Sequence, residues 1–200
     1  MNIAIDIDDT IYLLSKRIDK LTQKYLKLNK LKYKPIKEKY YLEERYPDLI
    51  MDNSFTTYLY EHQDYLYGRN MKKEIRKSLL DIMKFNKVYF LTNRSEKWLR
   101  KPYGFTFYWL CKNLDVLNYE DLIINVKDKG KIAKELNCKV LIDNDRRILN
   151  KAKGDVKYRI NFKNKHTIHE NNIESNGIIT MTTWTQITKF INWLSKREEI

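Results

Sequence analysis

Cysteine and histidine are scarce in this chain of 200 residues, which contains 2 Cys and 3 His. Cys111 and Cys138 lie far apart, and neither has a ligand-like spacing to a histidine. The sequence therefore supports neither a disulfide framework nor a zinc site. Both cysteines are expected to be core residues, and no role is assigned to His62, His166 or His169.

Glycine and proline are also few, with 5 Gly and 3 Pro, so the composition does not indicate a fibrous, repetitive or disordered chain. Apolar residues make up 42% of the sequence, which is enough for one core with a small attachment. No apolar run approaches the roughly 18 residues that span a bilayer, and the first residues do not resemble a secretory signal. These absences predict a globular, cytoplasmic protein without a membrane partner.

Basic residues exceed acidic ones, with 39 Lys and Arg against 26 Asp and Glu and a net charge of +13. This excess favours a polyanionic partner such as a nucleotide, a nucleic acid or a phosphorylated metabolite. Lysine is spread over nearly every segment beside abundant Asn and Ile, as a biased base composition of the coding sequence would also produce. The charge alone therefore does not identify the partner.

Short segments rich in β-branched residues alternate with helical patterns along most of the chain. The predicted strands are 2–5, 88–91, 122–126, 139–142, 156–160 and 177–181, and the predicted helices are 71–85, 128–136, 146–151 and 184–196. This alternation predicts an α/β fold with a Rossmann-like, open parallel sheet that is covered on both faces. The active site of such a sheet lies beyond the carboxyl ends of its strands.

One stretch after the first strand breaks this alternation, because it shows a helical period and no second strand. The apolar positions with helical spacing are Leu14, Ile18, Leu21, Tyr25 and Leu28. We expect residues 13–70 to form a small helical cap, inserted into a core made of residues 1–12 and 71–200. The predicted cap is unusually aromatic and contains Tyr33, Tyr40, Tyr41, Tyr46, Phe55, Tyr58, Tyr60, Tyr65 and Tyr67. Most of these rings are expected to form its core, and one or two to stack on a base.

The end of the first strand, Asp6-Ile7-Asp8-Asp9-Thr10, carries three carboxylates and a hydroxyl. Asp6 and Asp8 are two residues apart in an extended segment and so project to the same side. Three acids at a buried strand end repel one another, which indicates a cation such as Mg²⁺. One carboxylate can then attack phosphorus while the other donates and later accepts a proton. The alternative is a pair of helix-capping acids.

The end of the strand at 88–91 is followed by Thr92, Asn93 and Arg94. Thr92 can donate its hydroxyl and its backbone N–H to a phosphoryl oxygen, or it can be a turn residue. Asn93 and Arg94 are candidates for supporting the substrate or the metal. Arg94, like Arg69 and Arg146, has a planar guanidinium that can bind phosphate, but a surface role is an equal alternative for all three.

The end of the strand at 139–142 is followed by Asp143, Asn144 and Asp145, whose oxygens are of the kind that Mg²⁺ prefers. A run of three lysines, Lys127, Lys129 and Lys131, lies between this strand and the one before it. One of these lysines can neutralise the negative charge that develops in phosphoryl transfer. The others are expected to be solvated surface charges.

In this order and over nearly the whole chain, these residues resemble the four motifs of the haloacid dehalogenase superfamily of phosphohydrolases. Asp6 to Thr10 match its DxDxT motif, and the resemblance makes Asp6 the nucleophile and Asp8 the general acid and base. Thr92 matches the second motif, in an LTxR context similar to the deoxyribonucleotidase-like branch. A final helix opened by Trp184 is similar to the same branch.

The third and fourth motifs complete the resemblance. By similarity to a Lys-Gly dipeptide of that branch, Lys129 is assigned to motif three, with Lys131 second and Lys127 third. Asp143 is assigned to motif four. Where the family usually has a second acid the chain has Asn144, so either Asn144 is a neutral oxygen ligand or Asp145 replaces it.

The resemblance implies Mg²⁺ held by Asp6, the backbone carbonyl of Asp8 and Asp143, and an aspartyl-phosphate intermediate on Asp6. The expected activity is that of a Mg²⁺-dependent phosphomonoesterase, first of all a 5′-nucleotidase acting on nucleoside or deoxynucleoside monophosphates. Three alternatives remain open: a phosphatase of nucleic-acid ends, a phosphatase of a small phosphorylated metabolite, and an inactive binding module, which Asn144 suggests. The sequence makes no prediction of oligomeric state.

Overall fold

The fold is seen in a computed structural model that describes residues 1–36, 42–97, 99–115, 118–163 and 177–198. Within these residues, six parallel strands form one sheet with the order β3-β2-β1-β4-β5-β6. The strands are β1 (Asn2–Asp6), β2 (Lys87–Leu91), β3 (Leu122–Ile123), β4 (Cys138–Asp143), β5 (Tyr158–Phe162) and β6 (Ile178–Met181). The predicted α/β fold with an open parallel sheet is confirmed.

Helices cover both faces of this sheet, as the continuous apolar runs of its strands require. The helices outside the predicted cap are α6 (Lys73–Met83), α7 (Pro102–Leu114), α8 (Lys129–Glu135), α9 (Arg146–Lys151) and α10 (Trp184–Glu198). Ile3 and Ile5 of β1 share one apolar cluster with residues of α6 and α10. Ala4, which points the other way, shares a second cluster with residues of α8 and α9. The side chains of β1 thus alternate between two buried faces.

The register of the central strands brings their carboxyl ends together. Asp6 is paired with Leu91, so Thr92 follows directly beside it. On the other side of β1, Ile5 is paired with Ile142, which immediately precedes Asp143. Thr92 and Asp143, which follow Asp6 by 86 and 137 positions, therefore meet it at one edge of the sheet.

In the described part of the range predicted to be a helical insertion, five helices lie between β1 and α6. They are α1 (Leu14–Leu28), α2 (Leu42–Arg45), α3 (Pro47–Ile50), α4 (Asn53–Glu61) and α5 (Gln63–Tyr67). We call the described part of residues 13–70 the helical segment. Its described residues contain no strand, and its buried rings, such as Tyr25 and Phe55, pack with the apolar cluster that includes Ile3 and Ile5.

The aromatic residues of the helical segment differ in exposure. Tyr46, Phe55 and Tyr67 are buried, as the core role expected for most of them requires. Tyr33 and Tyr65 are exposed. Tyr40 and Tyr41 lie outside the described residues.

Several local predictions were wrong. Helix α7 was not predicted, because its aromatic residues are distributed around the helix and leave no single apolar stripe. Strand β3 is shorter than the predicted 122–126, since Asn125 adopts a left-handed conformation with φ of 56° and its N–H donates to the Arg94 carbonyl. Cys138 is buried as expected, but Cys111 is partly exposed. None of the described helices is long and apolar enough to span a bilayer.

Candidate active site

A cavity of about 220 Å³ lies at the carboxyl ends of β1, β2 and β4. Nine of the site residues predicted from the sequence line it: Asp6, Asp8, Thr92, Asn93, Arg94, Lys129, Asp143, Asn144 and Asp145. The sequence-predicted candidates Arg69 and Arg146 are not among the residues that line it. The cavity is at the edge where a parallel α/β sheet usually binds its ligand.

Lys129 joins two carboxylates at the bottom of the cavity. Its Nζ donates to Asp6 Oδ1 at 2.5 Å and to Asp143 Oδ2 at 2.7 Å. Since both oxygens touch one nitrogen, the two carboxylates lie within reach of a single small cation. All three side chains are at most 5% exposed. Lys127 and Lys131 are exposed, so Lys129 is the lysine of this run that the fold brings to the acids.

The start of α8 explains why Lys129 turns inward. The Asp128 carboxylate caps the helix by accepting the N–H of Lys131 at 3.1 Å. Gly130 then lies directly against Ala152 at the end of α9, where an added Cβ would come within 2.7 Å of the Ala152 Cα. This close approach holds the first turn of α8 over β4 and fixes the position of Lys129.

The electrostatics of this cluster are dominated by its burial. Burial raises the pKa of Asp6 to about 8; Lys129 opposes the rise, and Asp143 and Asp8 add to it. Burial likewise raises the pKa of Asp143, although Lys129 lowers it. The pKa of Lys129 is raised, because the two carboxylates outweigh the effect of burial. Burial therefore outweighs the attraction of Lys129 for both carboxylates.

Asp8 is held by a different cation. The Arg94 guanidinium contacts both oxygens of its carboxylate, with Nη2 2.6 Å from Oδ1 and Nε 3.0 Å from Oδ2. Burial lowers the pKa of Arg94, but Asp8 outweighs this effect and raises it overall. The side chain of Asp8 is 24% exposed and faces the cavity, whereas that of Arg94, which also lines the cavity, is only 3% exposed.

Thr92 differs from its prediction in one respect. Its backbone N–H donates to the Ile123 carbonyl at 3.0 Å, because the sheet continues beyond Leu91 on this side. That N–H is therefore not available to a phosphoryl oxygen, and the prediction was wrong for it. The Thr92 hydroxyl accepts the N–H of Arg94 at 3.3 Å and is the group that remains for a ligand in the cavity.

Thr10 is a site residue to which the sequence assigned no separate role. Its hydroxyl donates to Asp6 Oδ2 at 2.7 Å and also accepts the backbone N–H of Asn144 at 3.1 Å. The indole N–H of Trp184 donates to the Thr10 carbonyl at 3.2 Å. The chain after β1 is thus tied to the end of β4 and to the start of α10. The DxDxT pattern marked Thr10, but its partners are too distant in sequence to be found there.

Three solved structures resemble this chain over nearly its whole length. A haloacid dehalogenase-like hydrolase from Burkholderia xenovorans matches with a TM-score of 0.61 at 10% identity, covering 96% of this chain and 97% of that one. A haloacid dehalogenase-like family protein from Streptococcus pneumoniae has a TM-score of 0.59 at 10% identity, covering 94% and 97%. A haloacid dehalogenase-like family hydrolase from Xanthomonas campestris has a TM-score of 0.58 at 9% identity, covering 99% and 94%.

The chain has a haloacid dehalogenase-like fold. No protein-family model matches its sequence, and a comparison with curated proteins finds no match. At identities of about 10%, likeness to solved structures establishes the fold and nothing more detailed. The similarity to the deoxyribonucleotidase-like branch stays a prediction.

Within this haloacid dehalogenase-like fold, the oxygen donors of the cavity fit Mg²⁺. Mg²⁺ is usually bound by one or two carboxylates, with water and substrate phosphate completing an octahedron. Asp6 and Asp143 supply two such carboxylates, whose oxygens lie 2.5 and 2.7 Å from one Lys129 nitrogen. The described residues contain no group of three or more His, Cys, Asp or Glu arranged around one metal. The donors therefore fit Mg²⁺ with two carboxylates and not a cage made only of protein ligands.

Asn144 and Asp145, the two alternatives for a further ligand, both have structural contacts. The Asn144 side-chain oxygen lies 3.0 Å from the Thr10 hydroxyl. The Asp145 carboxylate caps α9 by accepting the N–H of Arg147 at 2.8 Å, and it pairs with the Arg147 guanidinium at 2.9 Å. Both residues therefore shape the loop after β4, and a role as metal ligand stays a prediction for each.

The cavity also has an apolar wall, which comes mainly from the helical segment. Its residues are Leu14, Ile18, Leu42, Leu59, Leu66 and Tyr67, with Leu99 and Ile148 from outside the segment. Glu43 is the acidic residue that the helical segment adds to this lining. Of the predicted cap aromatics that the structure describes, Tyr67 is the one that lines the cavity. Sequence reasoning missed the aliphatic wall, because its members look like ordinary helix-core positions.

Proposed function

We propose that the protein is a Mg²⁺-dependent phosphomonoesterase in which Asp6 attacks the substrate phosphorus. The observation that supports this most directly is the pair of buried carboxylates, Asp6 and Asp143, joined by Lys129 at the bottom of a cavity. Burying this set is costly for a protein that does not use it, since one ammonium serves two acids. A helix-capping role for Asp6 would require no buried lysine.

In the first step, an oxygen of the Asp6 carboxylate attacks phosphorus in line with the leaving group. The new bond joins Asp6 to phosphorus, and the bond from phosphorus to the leaving oxygen breaks. Asp8 gives a proton to that oxygen, so the leaving group departs as an alcohol. Lys129 and the Thr92 hydroxyl contact the phosphoryl oxygens and stabilise their negative charge.

In the second step, water attacks the phosphorus of the aspartyl phosphate, and Asp8 accepts its proton. The bond between phosphorus and the Asp6 oxygen breaks, which restores the carboxylate and releases inorganic phosphate. The carboxylates of Asp6 and Asp143 and the backbone carbonyl of Asp8 would hold Mg²⁺. That ion supplies the positive charge that lets a dianionic phosphate approach an anionic nucleophile.

The proposed substrate is a nucleoside or deoxynucleoside monophosphate, with residues 13–70 acting as a cap over the site. The aliphatic wall supports this choice, because a flat base can lie between Leu and Ile side chains while its phosphate reaches Asp6. Tyr67 offers one aromatic face in the same wall. The net charge of +13 also favours phosphorylated ligands, including the ends of nucleic acids.

The test is a phosphate-release screen with Mg²⁺ over nucleoside monophosphates, sugar phosphates, phosphorylated oligonucleotides and 4-nitrophenyl phosphate. Asp6→Asn should abolish release, whereas Asp48→Asn, which removes an exposed carboxylate in α3, should leave the rate unchanged. Release only from oligonucleotide ends, or only from sugar phosphates, would replace the nucleotide with that substrate class. Failure of every substrate, or full activity of Asp6→Asn, would overturn the phosphatase proposal.

A further inference from the structure

We infer that Arg94 is a positioning residue that holds the Asp8 carboxylate for proton transfer, and that Tyr67 of the helical segment holds Arg94 in turn. This inference rests on the proposed function, because it gives Asp8 the role of proton donor and acceptor. It goes beyond that function by assigning a task to a buried arginine and by connecting the helical segment to the chemistry.

The pair between Arg94 and Asp8 has the geometry of a side-on fork. Nη2 contacts Oδ1, Nε contacts Oδ2 at 3.0 Å, and Nε also lies 3.2 Å from Oδ1. Two parallel contacts fix the plane of a carboxylate as well as its position. The carboxylate of Asp8 therefore cannot rotate about its final bond without breaking a contact to Arg94.

Arg94 is itself fixed from several directions. Its Nη1 donates to the buried Thr106 hydroxyl of α7 at 3.1 Å. Its backbone N–H donates to the Thr92 hydroxyl, and its carbonyl accepts the N–H of Asn125 at 3.2 Å. These contacts leave the guanidinium 5% exposed or less and directed at Asp8. An arginine whose role is to bind substrate phosphate would not need three contacts to one protein carboxylate.

Tyr67 provides the connection to the helical segment. Its ring centroid lies 4.7 Å from the Arg94 Cζ, and the ring is buried at the end of α5. A second ring, that of Tyr12, lies 5.9 Å from the same atom, and its hydroxyl donates to the Leu66 carbonyl beside Tyr67. Cation–π contacts of desolvated arginines are among the stronger ones. The position of α5 is therefore coupled to the orientation of Asp8 through one guanidinium.

The alternative is that Arg94 binds the substrate phosphate, and the leaving group distinguishes the two roles. A proton donor matters when the leaving oxygen is strongly basic, as in benzyl phosphate, and matters little for 4-nitrophenyl phosphate. A phosphate ligand affects both substrates equally, because the phosphoryl group is the same. The two compounds are also similar in size, so binding to the apolar wall changes little between them.

The experiment measures kcat and KM of Arg94→Gln and Arg94→Lys with Mg²⁺ on both compounds, with inhibition by inorganic phosphate as a third measurement. We expect Arg94→Gln to lower kcat on benzyl phosphate about 100-fold and on 4-nitrophenyl phosphate less than about 5-fold, with phosphate inhibition unchanged. Arg94→Lys keeps the charge without the fork and should show a smaller loss with the same selectivity. Tyr67→Leu should show this selectivity more weakly.

A double variant completes the test. In an Asp8→Asn background, Arg94→Gln should cause no further loss on benzyl phosphate, because the positioned group is already absent. Equal losses on both compounds together with weaker phosphate inhibition would overturn the inference and make Arg94 a phosphate ligand. Unchanged rates in both Arg94 variants would overturn it as well. If the wild-type protein releases no phosphate, or if Asp6→Asn keeps full activity, the proposed function fails and the inference fails with it.

Discussion

Lys129 Nζ lies 2.5 Å from Asp6 Oδ1, although 123 positions separate these residues along the chain. The same nitrogen lies 2.7 Å from Asp143. Two carboxylates buried side by side repel each other strongly, so their joint burial depends on this ammonium. The stability of the site and its proposed chemistry therefore both depend on the Lys129 side chain.

Lys129→Met should lower the free energy of unfolding by about 3–5 kcal/mol without divalent ions, because it leaves two acids buried without their cation. Mg²⁺ should restore part of this loss, since a ligand that binds only the native state stabilises it. Urea denaturation with EDTA and with Mg²⁺ measures both effects. Lys131→Met, in the same helix but exposed, is the matched control and should change stability by less than about 0.5 kcal/mol. Equal stabilities of the two variants would contradict the prediction.

Asp6→Asn should make the metal-free protein less sensitive to pH. The pKa of Asp6 rises from its ordinary 3.8 to about 8 on folding, so between these values the native state binds more protons than the unfolded state. The contribution of Asp6 to stability is therefore fully present below about pH 4 and decreases as the pH rises toward 8. Thermal unfolding in EDTA at pH 5 and pH 8 should show that the Tm advantage of Asp6→Asn over the wild type increases with pH. A Tm difference between Asp6→Asn and the wild type that is the same at pH 5 and at pH 8 would disprove this.

The sequence predicted the sheet well, and it also predicted that the acids at two strand ends lie together, because both features depend on local patterns. An apolar run ending in Asp6, or one ending in Asp143, is visible in a few residues, and parallel strands bring such ends to one edge. The choice of Lys129 among three lysines was made by resemblance, and its physical cause, the packing of Gly130 on Ala152, is a tertiary contact. No local pattern encodes such a contact.

The parts that were missed depend on long-range partners or weak periodicity. The contact of Arg94 with Asp8 spans 86 positions, and that of Tyr67 with Arg94 joins the helical segment to the loop after β2. Helix α7, which supplies Thr106, lacks an apolar stripe and so gave no periodic signal. The Thr92 N–H donates to the Ile123 carbonyl, and this contact depends on how far β3 extends. The end of a strand is among the least certain features of a sequence-based prediction.

Gly130→Ala should displace the start of α8 and with it Lys129. The added Cβ would lie 2.7 Å from both the Cα and the Cβ of Ala152, which are not at the flexible end of a side chain. Overpacking of this kind costs about 1–3 kcal/mol, and we expect a loss of phosphatase activity larger than the loss of stability explains. Gly104→Ala in α7 is the matched control, because no atom lies within 4 Å of its added Cβ and alanine favours helix by roughly 0.5–1 kcal/mol. Denaturation and kcat measured on both variants test the prediction, and equal behaviour of the two would refute it.

Ile18→Asn should weaken binding of the organic part of the substrate without affecting its phosphate. Ile18 of α1 belongs to the apolar wall of the cavity, and it is partly exposed, so a polar side chain of similar size fits there without unfolding the helix. Loss of one aliphatic contact is worth about 1.5 kcal/mol, which corresponds to a roughly tenfold higher KM for a nucleoside monophosphate. Inhibition by inorganic phosphate should not change, because in the proposed mechanism phosphate contacts Lys129 and Thr92 and not Ile18. Lys20→Asn, at an exposed position of the same helix, should leave both constants unchanged. If Ile18→Asn also leaves the KM unchanged, the predicted contact between Ile18 and the substrate is refuted.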